Sequence, residues 1–284
     1  MQRRSFLKGA AAVVLAAPAI YTACEKENQI VDDMDFIGML VKQNDKQIPD
    51  MLARQEQNSS HRWFGGVKDA WGIHTPNGAS HFVRTLVSAI LSPTSKYADS
   101  EELLQKIHDA TTYLQNAQHD DGTIDLLSTN FHSTPDTAFV MEWVCGSYGL
   151  LNNAEGNKFD DLLSHMRGFL LPAGEALSIG GIHTPNHRWV VSMALARLNS
   201  LLPDKRYVKR IDEWLAEHID IDEDGQYTEK SSSIYSPLTD RCLITVARLL
   251  DRAELYDPVR KNLDMTLYYI HPNGEVVTEA SKRQ

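Results

Sequence analysis

The hexapeptide Gly-Ile-His-Thr-Pro-Asn occurs twice, at Gly72–Asn77 and at Gly181–Asn186, each time just before a long run with helical apolar spacing. A loop repeated that closely implies stacked copies of one unit whose loops meet on one face. Looser copies extend the series: His132-Ser-Thr-Pro-Asp136 precedes the run Thr137–Leu151, and Tyr235-Ser-Pro-Leu-Thr-Asp240 precedes Arg241–Leu250. The loops start about every 50–60 residues, a period typical of helical hairpins.

After each loop, apolar residues recur at spacings of three and four: Phe82, Leu86, Ile90; Phe139, Trp143, Val144; Trp189, Val190, Met193, Leu195; Leu243, Val246, Leu249, Leu250. These are the first, inner helices of successive hairpins. Second helices, with acidic or Asp/Pro starts and mixed surfaces, are predicted over Ser100–Ala117, Lys158–Leu171, Asp204–His218 and Asp257–Ile270. Tight turns follow at Asp121-Gly122, Asp224-Gly225 and Asn273-Gly274, where glycine accepts the positive φ of a short reversal. Strand signals are confined to pieces such as Gln226–Thr228 and Glu275–Thr278. The expectation is an all-α chain, an incomplete (α/α) toroid of about four to five helical hairpins over residues 33–284, with short β pieces in its loops. A straight solenoid would show the same periodicity.

The first residues read differently. Arg3-Arg4-Ser5-Phe6-Leu7-Lys8, followed by the apolar Gly9–Ile20, reads as a twin-arginine export signal over residues 1–23, its apolar stretch too short to span a bilayer. Tyr21-Thr22-Ala23-Cys24 resembles a lipoprotein cleavage box, with Tyr21 where an aliphatic residue is usual. Acylation of Cys24 and ordinary cleavage are both open, and residues 24–32 read as a linker. The expected location is the periplasm, free or membrane-anchored through Cys24.

The formal charge is −10, and residues 1–23 hold three cations and no acid, so the exported part is more acidic still. That balance disfavours general attraction to nucleic acid or to an acidic membrane; an acidic ligand needs a local cluster of donors. The remaining length suffices for one domain with a sizeable core. Cys145 and Cys242 fall inside predicted inner helices two repeats apart, which favours buried free thiols over a disulfide.

Four inner helices starting on one face aim their unpaired N–H groups at one opening, a setting suited to a carboxylate. Pro76-Asn77, Pro135-Asp136 and Pro185-Asn186 at those starts fit capping chemistry, the preferred reading for Asn77 and Asp136. Asn186 differs because His187, Arg188 and Trp189 follow it directly. One repeat further on comes Asp224-Gly225-Gln226-Tyr227-Thr228-Glu229-Lys230-Ser231-Ser232-Ser233-Ile234-Tyr235.

An Asn-His pair at an inner-helix start, followed about fifty residues later by such a segment, resembles the toroid portion of the heparinase II/III-like and alginate lyase polysaccharide lyases. The similarity covers Ser178–Asp240; elsewhere only the hairpin architecture is shared. The spacing is slightly shorter than the family's, and Tyr-Ser stands where Tyr-His is frequent.

The resemblance implies β-elimination on a uronide chain, with removal of the proton beside the sugar carboxylate and expulsion of the oxygen across the ring. Asn186 and His187 would stabilise the enolate-like charge at the carboxylate. Tyr235, a phenol of pKa near 10, would serve as proton donor. Arg188 or Arg84 would supply a cation or hold a neighbouring acid group. Trp189, core by its place in the apolar period, would stack on a sugar face if it stood at the cleft edge, and His183, His74 and Glu229 complete the expected substrate-binding set.

No cofactor and no metal are expected; the recurrence of His74, His132 and His183 fits repeat ancestry, with a zinc site as the minor alternative. The expected partner is an acidic polysaccharide or oligosaccharide, not nucleic acid. Lyases of this family normally carry a β-sandwich domain after the toroid. The last residues, Asn273-Gly274-Glu275-Val276-Val277-Thr278-Glu279, resemble Asp224–Glu229. A further hairpin and a β-domain are therefore expected from a longer product or a partner chain. Two other readings stay open: a glycoside hydrolase using a pair among Asp136, Asp240 and Glu229, and a non-catalytic glycan-binding protein using Trp189 and Arg188.

Overall fold

A computed structural model describes residues 33–282; the export signal, Cys24 and the linker lie outside the described residues. The described chain is all-α apart from one two-stranded antiparallel sheet. In order it runs through α1 (Asp33–Arg54), α2 (Pro76–Leu91), α3 (Glu101–Ala117), β1 (Ile124–Leu126), β2 (Asn130–Ser133), α4 (Thr134–Asn152) and α5 (Asp160–Ile179). Then follow α6 (Pro185–Leu201), α7 (Lys205–Ala216), α8 (Tyr235–Leu250) and α9 (Tyr256–Leu267). Among these helices none is long and apolar enough to cross a membrane.

Packing separates the helices into two rows. Helices α2, α4, α6 and α8 touch in succession, and α3, α5 and α7 form a second row against them, with α1 on α2 and α9 on α8. Burial follows the same division. On α6 the residues from Trp189 to Ala196 are all buried, as in a helix enclosed on every side. On α7 only Tyr207, Ile211 and Trp214 are buried, a single stripe at i, i+4 and i+7. Cys145 and Cys242 are both buried and free, and burial raises the Cys145 thiol to about 12.

The inner helices start where a hydroxyl precedes proline. Thr75 Oγ1 accepts the Gly78 N–H at 3.0 Å, and Ser133 Oγ accepts that of Asp136 at 3.3 Å. Proline in the first turn loses nothing there, because that N–H has no helical partner in any case. The caps are thus Thr75 and Ser133 rather than Asn77 and Asp136, which frees Asn77 for another contact.

Side-chain amides tie the outer helices together at repeat distance. Gln55 Nε2 donates to the Lys106 carbonyl at 2.9 Å and to the Gly65 carbonyl at 3.2 Å; Gln118 Nε2 donates to those of Phe169 at 3.1 Å and Gly122 at 2.9 Å. Each amide satisfies a turn and a neighbouring helix at once. The turn packs so closely that a Cβ on Gly122, whose φ is +83°, would lie 2.1 Å from the Pro172 carbonyl oxygen.

Three elements differ from expectation. Helix α5 continues to Ile179 through Pro172 instead of ending at Leu171, because Ala173, Ala176 and Leu177 keep burying one face beyond the proline. Helix α1 carries little apolar periodicity, and among its hydrophobic residues from Phe36 onward only Ile48 and Met51 are buried. The regular sheet is the β1–β2 hairpin, whereas the segments around Tyr227 and Val276 make single bridges to Ile221 and Ile270.

Candidate functional site

The starts of α6 and α8 are held by one short segment. Glu229 accepts from the Asn186 backbone N–H at 2.9 Å and from its Nδ2 at 2.6 and 2.7 Å, replacing the hydroxyl cap that Thr184 does not supply. Two residues on, Ser231 Oγ accepts the Tyr235 backbone N–H at 3.1 Å. Two residues of extended chain reach about 7 Å, so both helix starts stand at one rim. His187, half-buried in the first turn of α6, and half-buried Tyr235, the first residue of α8, belong to that rim. The segment Val277–Lys282 runs beside it, with the Lys282 N–H on the Lys230 carbonyl and Ser232 Oγ on that of Val277.

Several residues expected to touch substrate have other occupations. Asn186 is fully buried and its amide N–H groups belong to the half-buried Glu229, so the Asn186 side chain is not presented to a ligand; together they lock the loop. Arg188 is buried in ion pairs with Glu217 and Asp220. Trp189 is core, at 1% exposure. His183 is exposed and bonded to Glu217 at 2.9 Å. His74 is buried near Glu56, and burial, followed by Lys68, lowers its pKa. The two hexapeptides therefore present opposite residues: the first buries its histidine and exposes Asn77, the second exposes its histidine and buries Asn186.

The carboxylates of the hydrolase reading are also dispersed in function. Asp240 is buried and accepts from Tyr227 Oη at 2.8 Å, burial lifting it to about 6. Glu229 holds Asn186, and Asp136 borders a cavity.

That cavity, of about 300 Å³, lies at the same end of the inner row. Asn77 and His81 of α2, Asp136, Phe139 and Trp143 of α4, and Arg241 of α8 line it, and the β1 strand with its following loop forms a wall. The Trp143 ring is fixed by the Arg84 guanidinium 4.3 Å over it and by the His81 ring at 4.9 Å. Arg84, expected to supply a cation to the uronate, is instead stacked on tryptophan, seven residues after Asn77. Burial, and then Arg84, lower the pKa of His81, which keeps the imidazole neutral near pH 7.

Beneath the cavity Glu142, 4% exposed, accepts from Arg241 at 3.2 Å and lies 3.9 Å from Arg197. Burial raises its pKa against the pull of the three arginines nearby. This contact joins α4 to α8 past the intervening α6. Sequence reasoning overlooked His81, Glu142 and Arg241; the one signal was a carboxylate alone inside the apolar run Thr137–Leu151. Among the described residues no group of three or more His, Cys, Asp or Glu side chains is placed to hold a metal ion.

Fold and site together define a helical-hairpin repeat protein with a polar rim and an aromatic, carboxylate-bearing cavity at one end of its inner row. Comparison with models of known protein families and with curated proteins finds no match to this chain.

Proposed function

We propose that this chain is the (α/α) toroid portion of an exported lyase that cleaves uronic-acid-containing glycans by β-elimination. One observation carries the reading: His187 and Tyr235, from neighbouring hairpins, stand at one rim joined by Glu229–Ser231. The Glu142–Arg241 contact across α6 favours a curved row over a straight solenoid. In this reading His187 faces the charge that builds at the sugar carboxylate, and Tyr235 protonates the leaving oxygen. Asn186 positions the rim through Glu229. Export through the twin-arginine route, with or without acylation at Cys24, brings the protein to its polysaccharide, and a β-domain or partner chain completes the cleft.

The test is ultraviolet absorbance of the unsaturated product on a panel of acidic glycans. Alkene formation lost in His187→Ala and Tyr235→Phe supports the reading; reducing ends without alkene would replace it with hydrolysis. A second reading, glycan binding without turnover, is favoured by the engagement of Asn186 with Glu229 and of Arg188 with two acids, which leaves less of the rim to act on substrate.

A further inference from the structure

The cavity beside α2 has a different electrostatic character from a uronate site. Its charged lining comprises Asp125, Asp136 and Glu142 against Arg241, and that guanidinium is already engaged by Glu142. A second carboxylate brought within about 4 Å of such a group meets several kcal/mol of repulsion at the effective dielectric of a partly buried site.

Two of the acids are built as acceptors. Asp125 is fixed through Oδ1 by His119 Nε2 at 2.7 Å and the His132 N–H at 2.8 Å, and Asp136 is fixed through Oδ2 by Ser133 and Asn130. Each keeps its other oxygen without a hydrogen-bond partner among the described residues. Phe139, Leu126 and Leu127 supply apolar surface between them. Carboxylate acceptors beside apolar walls match the hydroxyls and C–H faces of a sugar ring, and about 300 Å³ lies within the range of small-ligand pockets. A second cavity, of about 470 Å³, shares Pro76, Asp125 and Leu127 with the first and is bordered by Arg62 and Trp63, so the groove continues past one ring.

We propose that this cavity is a subsite for an uncharged pyranose ring, held by Asp125 and Asp136 against Phe139 and Trp143. Resting on the glycan reading above, the inference narrows the substrate to a mixed polymer in which a neutral sugar lies near the uronate.

Calorimetric titration of the full chain with cellotetraose, xylotetraose, mannotetraose, galactotetraose and tetragalacturonate tests this without turnover. At least one neutral tetrasaccharide binds, and Asp136→Asn, which keeps the size of the side chain, weakens it about tenfold or more. Trp143→Ala weakens it similarly, with circular dichroism as the check on folding. Failure of all four neutral sugars to bind, unchanged affinity in Asp136→Asn, or binding confined to tetragalacturonate overturns the subsite. Neutral binding without alkene from any acidic glycan sinks the lyase reading alone; alkene formation without neutral binding sinks the subsite alone.

Discussion

Asn186 Nδ2 lies 2.6 and 2.7 Å from the two carboxylate oxygens of Glu229, so the start of α6 is closed by a side chain 43 residues away. A helix end is satisfied here by a long-range contact in place of a local cap. The loop bearing Glu229 is thereby fastened to the inner row.

Glu229→Ala leaves the Asn186 amide buried without its acceptor. The expected cost is about 2 kcal/mol or more, seen as a fall of several degrees in thermal midpoint. Asn186→Ala in the same background adds less than it does alone, because the pair acts as one unit. Strict additivity in the double-mutant cycle would contradict this.

If the proposed lyase reading holds, His187→Ala and Tyr235→Phe lower turnover of an acidic glycan roughly 10²–10⁴-fold while leaving the far-ultraviolet dichroism unchanged. The readout is the rate of alkene absorbance. Wild-type rates in either variant would remove that residue from the mechanism.

Asp240 makes stability depend on pH. Its folded value of about 6 stands above the ordinary 3.8, so the folded protein binds the proton more tightly than the unfolded chain does. The stabilising contribution is full below the lower value and is lost as pH rises through the higher one. Relative to Asp240→Asn, the native protein should lose roughly 3 kcal/mol across that window in denaturant titrations. A pH-independent difference would refute the assignment.

Arg84→Gln removes the charge that, after burial, lowers the His81 pKa. The His81 value should rise toward the ordinary histidine value but stay below it, since burial remains. Titration of the His81 ring protons by NMR reads this directly, and an unmoved curve would show that Arg84 exerts no such pull.

Gly122→Ala and Gly72→Ala both place a side chain at positive φ, +83° and +79°, but only the first drives a Cβ into backbone, with open space around Gly72. The expected losses are about 3 kcal/mol or more at Gly122 and about 1 kcal/mol at Gly72. Chemical denaturation of the two variants gives the comparison.

The hairpin order was legible because burial imposes its period on apolar residues, most fully in α6, where Trp189 through Ala196 are enclosed. Helix α1 was not, since it buries few apolar side chains and gains its anchorage from polar contacts such as Ser95 Oγ on Asp45 at 2.7 Å. The extension of α5 past Pro172 reflects tertiary packing overriding a local stop signal.

At the site, the rim residues His187 and Tyr235 could be named from their motif. The occupations of Asn186 and Arg188 could not. Each is decided by a partner in another repeat or by the depth of α6 in the core, and neither leaves a trace in local spacing. The cavity escaped for the same reason: Asn77, Trp143 and Arg241 come from three hairpins, and only folding brings them together.

The Glu142–Arg241 contact acts as a drawstring. Parting α4 from α8 would take from the buried Glu142 its hydrogen-bonded cation and leave only the more distant Arg197, at 3.9 Å. The opening at this end of the row is therefore held at constant width by one contact between helices that are not neighbours in the row.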